Sequence, residues 1–209
     1  MSGEGVSPLP SLGQRMKTIT CIASGPSLTQ AQVNRAHEIS DLVIAVNDAY
    51  RLVPQQGAGS VLYGADVKWW KYHWPHIQEN WVGECHTQKL HWPEQDLETI
   101  GFNKVWDIEV SKPGLSTDPT VIHGGGNSGY QALNIAALMA APDARIFLIG
   151  YDMGTHGGMH FFGDHPNRWA QGGYSRFVAA YRGIRDDRII NCTPGSALDW
   201  FPSGEITHL

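Results

Sequence analysis

The chain has 209 residues and a formal net charge of −5 at pH 7, with 15 Lys and Arg against 20 Asp and Glu. This length fits one domain that buries its core without disulfides or metals, and the acidic balance disfavours generic binding to duplex DNA. The three cysteines have no Cys-x-x-Cys spacing, which favours a reducing, cytoplasmic setting. Because no apolar run is long enough to cross a bilayer, we expect no membrane partner.

Short apolar runs alternate with helical patterns along the chain, which is typical of a parallel sheet with helices on both faces. The predicted strands are 18–23, 42–46, 60–63, 104–108, 145–149 and 188–192, and the predicted helices are 29–38, 128–139 and 174–184. We therefore predict an α/β, Rossmann-like fold with a mostly parallel sheet. A flexible leader is expected over 1–16, followed by a single Rossmann-like domain over 17–209.

The middle of the chain is rich in aromatic residues, since six of its eight tryptophans lie between Trp69 and Trp106. Most of these side chains are expected to pack in the interior, because aromatic side chains gain much free energy on burial. The alternative is a wall on which a flat sugar or base of an acceptor stacks. We interpret 66–120 as an aromatic-rich insertion that forms a lid or small subdomain, and as a candidate interface of a homo-oligomer.

Two glycine-marked turns, 24–28 and 124–129, lie next to predicted helix starts. A helix start presents unpaired N–H groups and the positive end of the helix dipole, so both turns are candidate anion cradles. In the second turn, the cradle is formed by Asn127, Ser128 and Gly129. A Walker A motif and the Gly-x-Gly-x-x-Gly fingerprint are both missing, which disfavours a P-loop hydrolase and an NAD oxidoreductase.

Polar residues follow most of the predicted strands. Ligands of open parallel sheets bind beyond the carboxyl ends of the strands, so these residues are candidates for nucleotide binding. They are Gly25, Pro26, Ser27, Asn47, Asp66 and Ser196. Asp152 follows the strand 145–149, where it either binds a ribose or substrate hydroxyl or caps the next turn.

Three histidines and two aspartates lie between Tyr151 and Pro166. A histidine is the commonest general base near neutral pH, and a glycine-rich loop brings it against a substrate hydroxyl. The competing functional interpretation is a metal site, with His156, His160, Asp164 and His165 as ligands. A third interpretation is that these histidines pack or cap within a long loop.

In chain order, the motifs are Ser24-Gly25-Pro26-Ser27-Leu28, Val46-Asn47, Asn127-Ser128-Gly129-Tyr130, Gly150-Tyr151-Asp152, His165 and Cys192-Thr193-Pro194-Gly195-Ser196. This order resembles the bacterial sialyltransferases of glycosyltransferase family 42 and, more loosely, small phage and prophage proteins that share their layout. The resemblance spans about residues 18–198. Its specific parts are the Gly-Pro-Ser-Leu turn and the block from Ser-Gly to Gly-x-Asp.

The resemblance implies metal-independent, inverting transfer of a sugar from a CMP-linked donor, with no cofactor besides that donor. By position, it implies that Gly25, Ser27, Asn47, Asn127 and Ser128 bind the nucleotide and its phosphate and that His165 is the base. The family's arginine before the Ser-Gly turn is replaced here by glycines 124–126. The tyrosines that bind phosphate in that family fall near Gly154 and His160. By position, His160 would replace a tyrosine as a hydrogen-bond donor to the phosphate. The acceptor is a glycan, a nucleic-acid base or a small metabolite.

Two other functions remain open. The Gly-Pro-Ser-Leu turn and the Gly-x-Asp strand end are also distantly similar to archaeal 6-hydroxymethylpterin diphosphokinases. In such an enzyme Asp66, Asp152 and Asp164 hold Mg²⁺ for phosphoryl transfer. The other alternative is a non-catalytic protein that binds a nucleotide or nucleotide sugar.

Overall fold

One parallel sheet runs through the computed structural model, which describes residues 15–57, 59–154, 158–163 and 173–208. Its strands are β1 (Met16–Ile22), β2 (Leu42–Val46), β3 (Ser60–Tyr63), β4 (Glu84–Gln88), β5 (Lys104–Glu109), β6 (Val121–His123), β7 (Ala140–Ile149) and β8 (Ile189–Asn191). Among the described residues the sheet has eight strands in the order β6-β5-β4-β3-β2-β1-β7-β8. Every neighbouring pair is parallel, which confirms the predicted α/β fold.

Helices cover both faces of this sheet. They are α1 (Gln30–Ile39), α2 (Val67–Asn80), α3 (Glu94–Ile100), α4 (Ser128–Met139) and α5 (Tyr174–Tyr181), with short 3₁₀ turns at Asn47–Leu52, Pro54–Gly57 and Ile206–His208. One buried cluster contains side chains of α4 and α5, and a second contains side chains of α1, α2 and α3. In the part of the chain that is described, no helix is both long and apolar enough to cross a bilayer.

Alternate residues of the inner strands supply the two clusters. In β2, Leu42 and Ile44 belong to the cluster under α4, whereas Val43 and Ala45 belong to the cluster under α1. This follows from the two-residue period of a strand, whose successive side chains point to opposite faces. A strand buried on both faces reads as a continuous apolar run, which is why β1, β2, β3 and β7 could be predicted.

Helices α1 and α4 begin at the residues that the sequence indicates. Thr29 caps α1 in a capping box with Gln32, and the Asn127 side chain accepts a hydrogen bond from the Tyr130 amide at the start of α4. Nine residues of α4, 129–137, are buried. An apolar helix with buried residues on all sides packs in the interior of the molecule, here against β1, β2, β6 and β7.

The segment 66–120, interpreted above as an insertion, contributes β4 and β5 to the sheet between β3 and β6. Neither β4 nor β6 was among the predicted strands. The sequence of β4, Glu-Cys-His-Thr-Gln, is polar, yet four of its five residues are buried. Hydrogen bonds compensate this burial, because Thr87 Oγ1 donates to the Gly64 carbonyl at 2.8 Å and Gln88 Nε2 donates to the Ala65 carbonyl at 3.0 Å.

The tryptophans of this segment are mainly packing residues. Trp69, Trp70, Trp81, Trp92 and Trp106 are each less than a tenth exposed. Trp70 makes edge contacts with Trp69 and Phe102, and its Nε1 donates to the Gly64 carbonyl at 2.9 Å. These buried rings form part of the core, so they offer no stacking wall to an acceptor.

Replacing Trp70 with alanine is expected to destabilise the protein by about 3–5 kcal/mol, because the loss of a fully buried indole leaves a cavity in the core. Tyr72 of the same helix is 52% exposed, and Tyr72→Ala is expected to change the free energy of unfolding by only about 0.5 kcal/mol. Urea unfolding of both variants checks this. Similar effects of the two substitutions would contradict the packing role of Trp70.

Candidate functional site

The strand order reverses at β1, which lies between β2 and β7. The chain leaves β1 through α1 towards β2, whereas α4 leads from β6 back to β7 on the other side of β1. The crossovers therefore diverge between the carboxyl ends of β1 and β7 and leave a crevice there. Such a switch point is where open α/β sheets bind their ligands.

A cavity of about 150 Å³ occupies this crevice, and we call it the switch-point cavity. Its walls come from the ends of β1, β2 and β7, from the start of α4, from the loop that follows β7 and from α5. Most of the predicted site residues line it. They are Gly25, Pro26, Asn47, Asn127, Ser128, Gly129, Asp152 and His160.

Four predicted site residues are not among those that line the cavity. Asp66 caps α2, since its Oδ1 accepts from the Lys68 and Trp69 amides. Ser196 donates from Oγ to the Tyr151 carbonyl at 2.6 Å, which ties the turn after β8 to the end of β7. Ser27 binds the Asp152 carboxylate through its amide and its hydroxyl. His165, the predicted base, lies outside the described residues, as do His156 and Asp164.

The turns after β1 and β7 are joined by Asp152. Its Oδ1 accepts from the Ser27 amide at 3.1 Å and its Oδ2 accepts from Ser27 Oγ at 2.9 Å. The Gly25 amide donates to the Gly150 carbonyl at 2.9 Å. A Cβ at Gly25 would overlap both this carbonyl and the Asp152 carboxylate, so only glycine allows the two turns to approach so closely.

Burial raises the pKa of Asp152 above the ordinary value for an aspartate, although the hydrogen bonds from Ser27 oppose the shift. The carboxylate is half-buried, and the folded chain therefore holds a negative charge at some cost in stability. Natural proteins retain such a cost mainly where function requires the group. Asp152 positions the Ser27 turn and places a carboxyl group in the wall of the cavity.

The start of α4 presents hydrogen-bond donors at the cavity. Asn127 Oδ1 accepts from the Tyr130 amide at 2.9 Å and from the Tyr181 hydroxyl at 3.2 Å. Its Nδ2 is buried and has no hydrogen-bond partner among the described residues. The first amides of a helix, here those of Ser128 and Gly129, have no intrahelical acceptor. An anion in the cavity would satisfy these donors.

Asn47 forms the wall at the end of β2 in a left-handed conformation, with φ of 49°. Its Oδ1 is a buried acceptor without a partner among the described residues. A residue other than glycine in this region carries backbone strain, which is common at ligand sites. Asn47 thus offers an acceptor for a hydroxyl or amino group on the side of the cavity opposite β7.

His160 contacts the first turn directly. Its Nδ1 lies 3.3 Å from the Ser24 carbonyl oxygen, and its ring stacks on Phe162 with a centroid distance of 4.9 Å. A carbonyl only accepts, so this hydrogen bond requires the proton on Nδ1 and places the lone pair of neutral histidine on Nε2. In this tautomer the imidazole is suited to accept a proton from a substrate.

The structure adds lining residues that were not among the predicted site residues. Asp48 is buried, and its carboxylate binds Arg51 at 2.9 Å and accepts from Trp69 Nε1 at 2.8 Å. Tyr174 and Phe177 of α5 also line the cavity. Asp48 could be recognised from its position directly after a predicted strand. The helical spacing of Phe177 is that of a core residue, and it gave no indication that the side chain lines a ligand site.

A metal site has no support among the described residues, where no group of three His, Cys, Asp or Glu side chains is placed to hold a metal ion. Three members of the predicted ligand set, His156, Asp164 and His165, lie outside these residues. Asp66 and Asp152 serve different turns, as described above. Their contacts in the structure are hydrogen bonds to amide and hydroxyl groups.

We expect Asp152→Asn to raise the thermal midpoint at pH 7. Folding raises the Asp152 pKa, so the folded state favours the protonated carboxyl group. The stability that this group contributes is fully present at a pH below its pKa in the unfolded chain. It is lost as the pH rises through its pKa in the folded chain. Asparagine keeps an acceptor for the Ser27 amide without the charge. The advantage of the variant should therefore shrink as the pH is lowered towards the ordinary pKa of aspartate.

Melting curves from acidic to neutral pH measure this difference. Asp143, whose side chain is 70% exposed and pairs with Lys17 on the surface, gives the control Asp143→Asn, for which we expect little change. A lower midpoint for Asp152→Asn at every pH would contradict the prediction.

Comparison with family models, curated proteins and solved structures gave no match to this chain.

Proposed function

We propose that the protein is a glycosyltransferase that binds a nucleotide-activated sugar in the switch-point cavity and transfers the sugar to an acceptor hydroxyl or amino group. The main support for this proposal is the set of hydrogen-bond donors at the start of α4. There the buried Asn127 Nδ2 lacks a partner among the described residues and lies beside the open amides of Ser128 and Gly129. Three donors at one helix start suit a phosphate group.

The leaving phosphate is the group that these donors would stabilise. As the bond between the anomeric carbon and the phosphate oxygen breaks, the electron pair stays on that oxygen and negative charge develops there. Fixed N–H groups aimed at a developing charge lower the barrier, because they need no reorganisation during the reaction. Asn127 is well held for this role by the Tyr130 amide and the Tyr181 hydroxyl.

A histidine of the loop after β7 would take the acceptor proton while the acceptor atom bonds to the anomeric carbon. His160 fits this role through the tautomer that the Ser24 carbonyl favours. The resemblance to family 42 assigns the role to His165, which lies outside the described residues. The two histidines are therefore separate candidates for one proton transfer.

The carboxylates of the cavity wall are already bound by protein groups. Asp48 is paired with Arg51, and Asp152 accepts two hydrogen bonds from Ser27. Such pairing reduces their repulsion of a phosphate. Asn47 Oδ1, which has no hydrogen-bond partner among the described residues, is an acceptor available for a ribose hydroxyl or base amino group.

We further propose that the protein works in a reducing compartment such as the cytoplasm. Its three cysteines are unpaired and buried. Burial raises the pKa of the Cys21 and Cys85 thiols to about 12, so few thiolates are present at neutral pH.

The first experiment is a thermal-shift panel of CMP, UMP, UDP, GDP, ADP and ATP, each with and without Mg²⁺. A ligand that binds only the folded state raises the midpoint by mass action. We expect a nucleotide of the sugar-carrier type to stabilise the protein without Mg²⁺. Stabilisation only by ATP with Mg²⁺ would instead favour phosphoryl transfer of the diphosphokinase type, and no shift with any nucleotide would overturn the proposal.

Two substitutions at Asn127 test the phosphate site with the nucleotide that binds best. Asn127→Asp keeps the helix cap but replaces the Nδ2 donor with a negative charge, so we expect the affinity to fall by at least about tenfold. Asn127→Ser also keeps a capping oxygen and removes the donor without adding charge, and should cause a smaller loss. Calorimetric titration gives the affinities, and melting curves confirm that both variants fold. Wild-type affinity in Asn127→Asp would place the phosphate elsewhere.

Separate His160→Ala and His165→Ala variants identify the base. The variant that lacks the base should bind the nucleotide normally and lose turnover by about 10²–10⁴-fold, which is the usual contribution of general base catalysis. Hydrolysis or transfer of the nucleotide sugar identified by the panel provides the assay. If both variants turn over normally, neither histidine is the base, and normal binding with no detectable turnover of any donor in wild type would favour a non-catalytic binding protein.

A further inference from the structure

A second cavity, of about 410 Å³, lies beyond the carboxyl ends of β5 and β6. We call it the outer cavity. It is bounded by the segment after β5, by the glycine turn before α4 and by α5, and its lining includes Val110, Lys112, Tyr130, Arg176 and Ala180. All strands of the sheet are parallel, so this cavity opens at the same edge as the switch-point cavity.

The two cavities share a wall. Arg176 lines the outer cavity, and its neighbour Phe177 lines the switch-point cavity. Likewise, Gly126 lines the outer cavity, and the next residue, Asn127, lines the switch-point cavity. Gly126 has a φ of 83°, and Arg176 Nη2 lies 3.8 Å from the place where its Cβ would be. The guanidinium therefore lies beside the turn that leads into α4.

The outer cavity has two basic side chains, Lys112 and Arg176, and only Lys112 forms an ion pair among the described residues. The Lys112 ammonium lies 2.6 Å from a Glu109 carboxylate oxygen. Within the described ranges, no carboxylate or carbonyl pairs with the Arg176 guanidinium. Around it are apolar surfaces, among them Val110, which is 57% exposed. The outer cavity therefore combines an available fork of N–H donors with an apolar floor.

The sizes of the cavities support a division of roles. The switch-point cavity, at about 150 Å³, would enclose the phosphate and the adjoining part of the donor sugar while the rest of the donor lies outside it, whereas pockets for whole small molecules measure about 300–1,000 Å³. The outer cavity, at 410 Å³, is within that range. A transferase of two substrates needs both at one edge of the sheet, and the outer cavity provides the second place.

We infer that the outer cavity binds the acceptor, and that this acceptor is a small organic molecule with a carboxylate or phosphate group that Arg176 holds. This inference rests on the proposed transferase function. Arginine suits such a group because its planar fork of donors binds carboxylate or phosphate oxygens in pairs. An acceptor anchored in this way presents its other end towards the shared wall and the switch-point cavity.

Titration of the ¹⁵N-labelled protein with glucose 6-phosphate, glucuronate and neutral glucose tests the inference, with and without the nucleotide that binds best. We expect at least one anionic sugar to perturb the amides of Val110, Lys112 and Gly183, and glucose to bind at least about tenfold more weakly. The phosphate and carboxylate probes show which anion is preferred. Equal binding of neutral and anionic sugars, or shifts confined to the switch-point cavity, would overturn the inference.

Arg176→Gln should abolish the preference for anionic over neutral sugars while nucleotide affinity stays at the wild-type value. Arg145 is exposed in the middle of β7 and lines neither cavity, and Arg145→Gln provides the same charge change as a control. An unchanged preference in Arg176→Gln would overturn the assignment of this residue. Failure of nucleotides to bind would defeat the proposed function, whereas normal nucleotide binding without anion binding at the outer cavity would defeat this inference alone.

Discussion

The structure depends on the parallel pairing of β1 with both β2 and β7. This pairing puts three carboxyl ends side by side and sends the crossovers to opposite faces, so the crevice at the end of β1 is a consequence of topology. Gly25 and Asp152 then fix the distance between the two turns that flank it. The cradle at α4 has its position because α4 must return the chain to β7.

The sequence was sufficient for the parts of the fold that follow from local chemistry. Strands such as β2 are apolar on both faces, and α1 begins at a Thr29 capping box, so each is specified by residues adjacent in the chain. Most of the candidate site could also be predicted, because a strand end followed by polar residues marks the edge of a parallel sheet. Asn47 was found in this way, Asn127 was found from the glycine-marked turn before a predicted helix, and both line the cavity.

The remaining features depend on contacts between distant residues, which no local pattern encodes. The strand β4 is polar and became recognisable only through the hydrogen bonds of Thr87 and Gln88 to the segment after β3. Asp66 has the same sequence signal as Asn47, yet its carboxylate caps α2. Arg176 lies near Gly126 because α5 packs beside the turn into α4, a proximity that spans 50 residues of sequence.

The burial of α4 on all sides has a thermodynamic consequence for ligand binding. Residues 129–137 are packed in the interior, so the backbone amides at the head of this helix lost their conformational freedom when the chain folded. A phosphate that binds there need not order them, and little of its binding energy is spent on immobilising the protein. The cradle is thus preorganised, and selectivity among ligands must come from the shape and charge of the rigid walls.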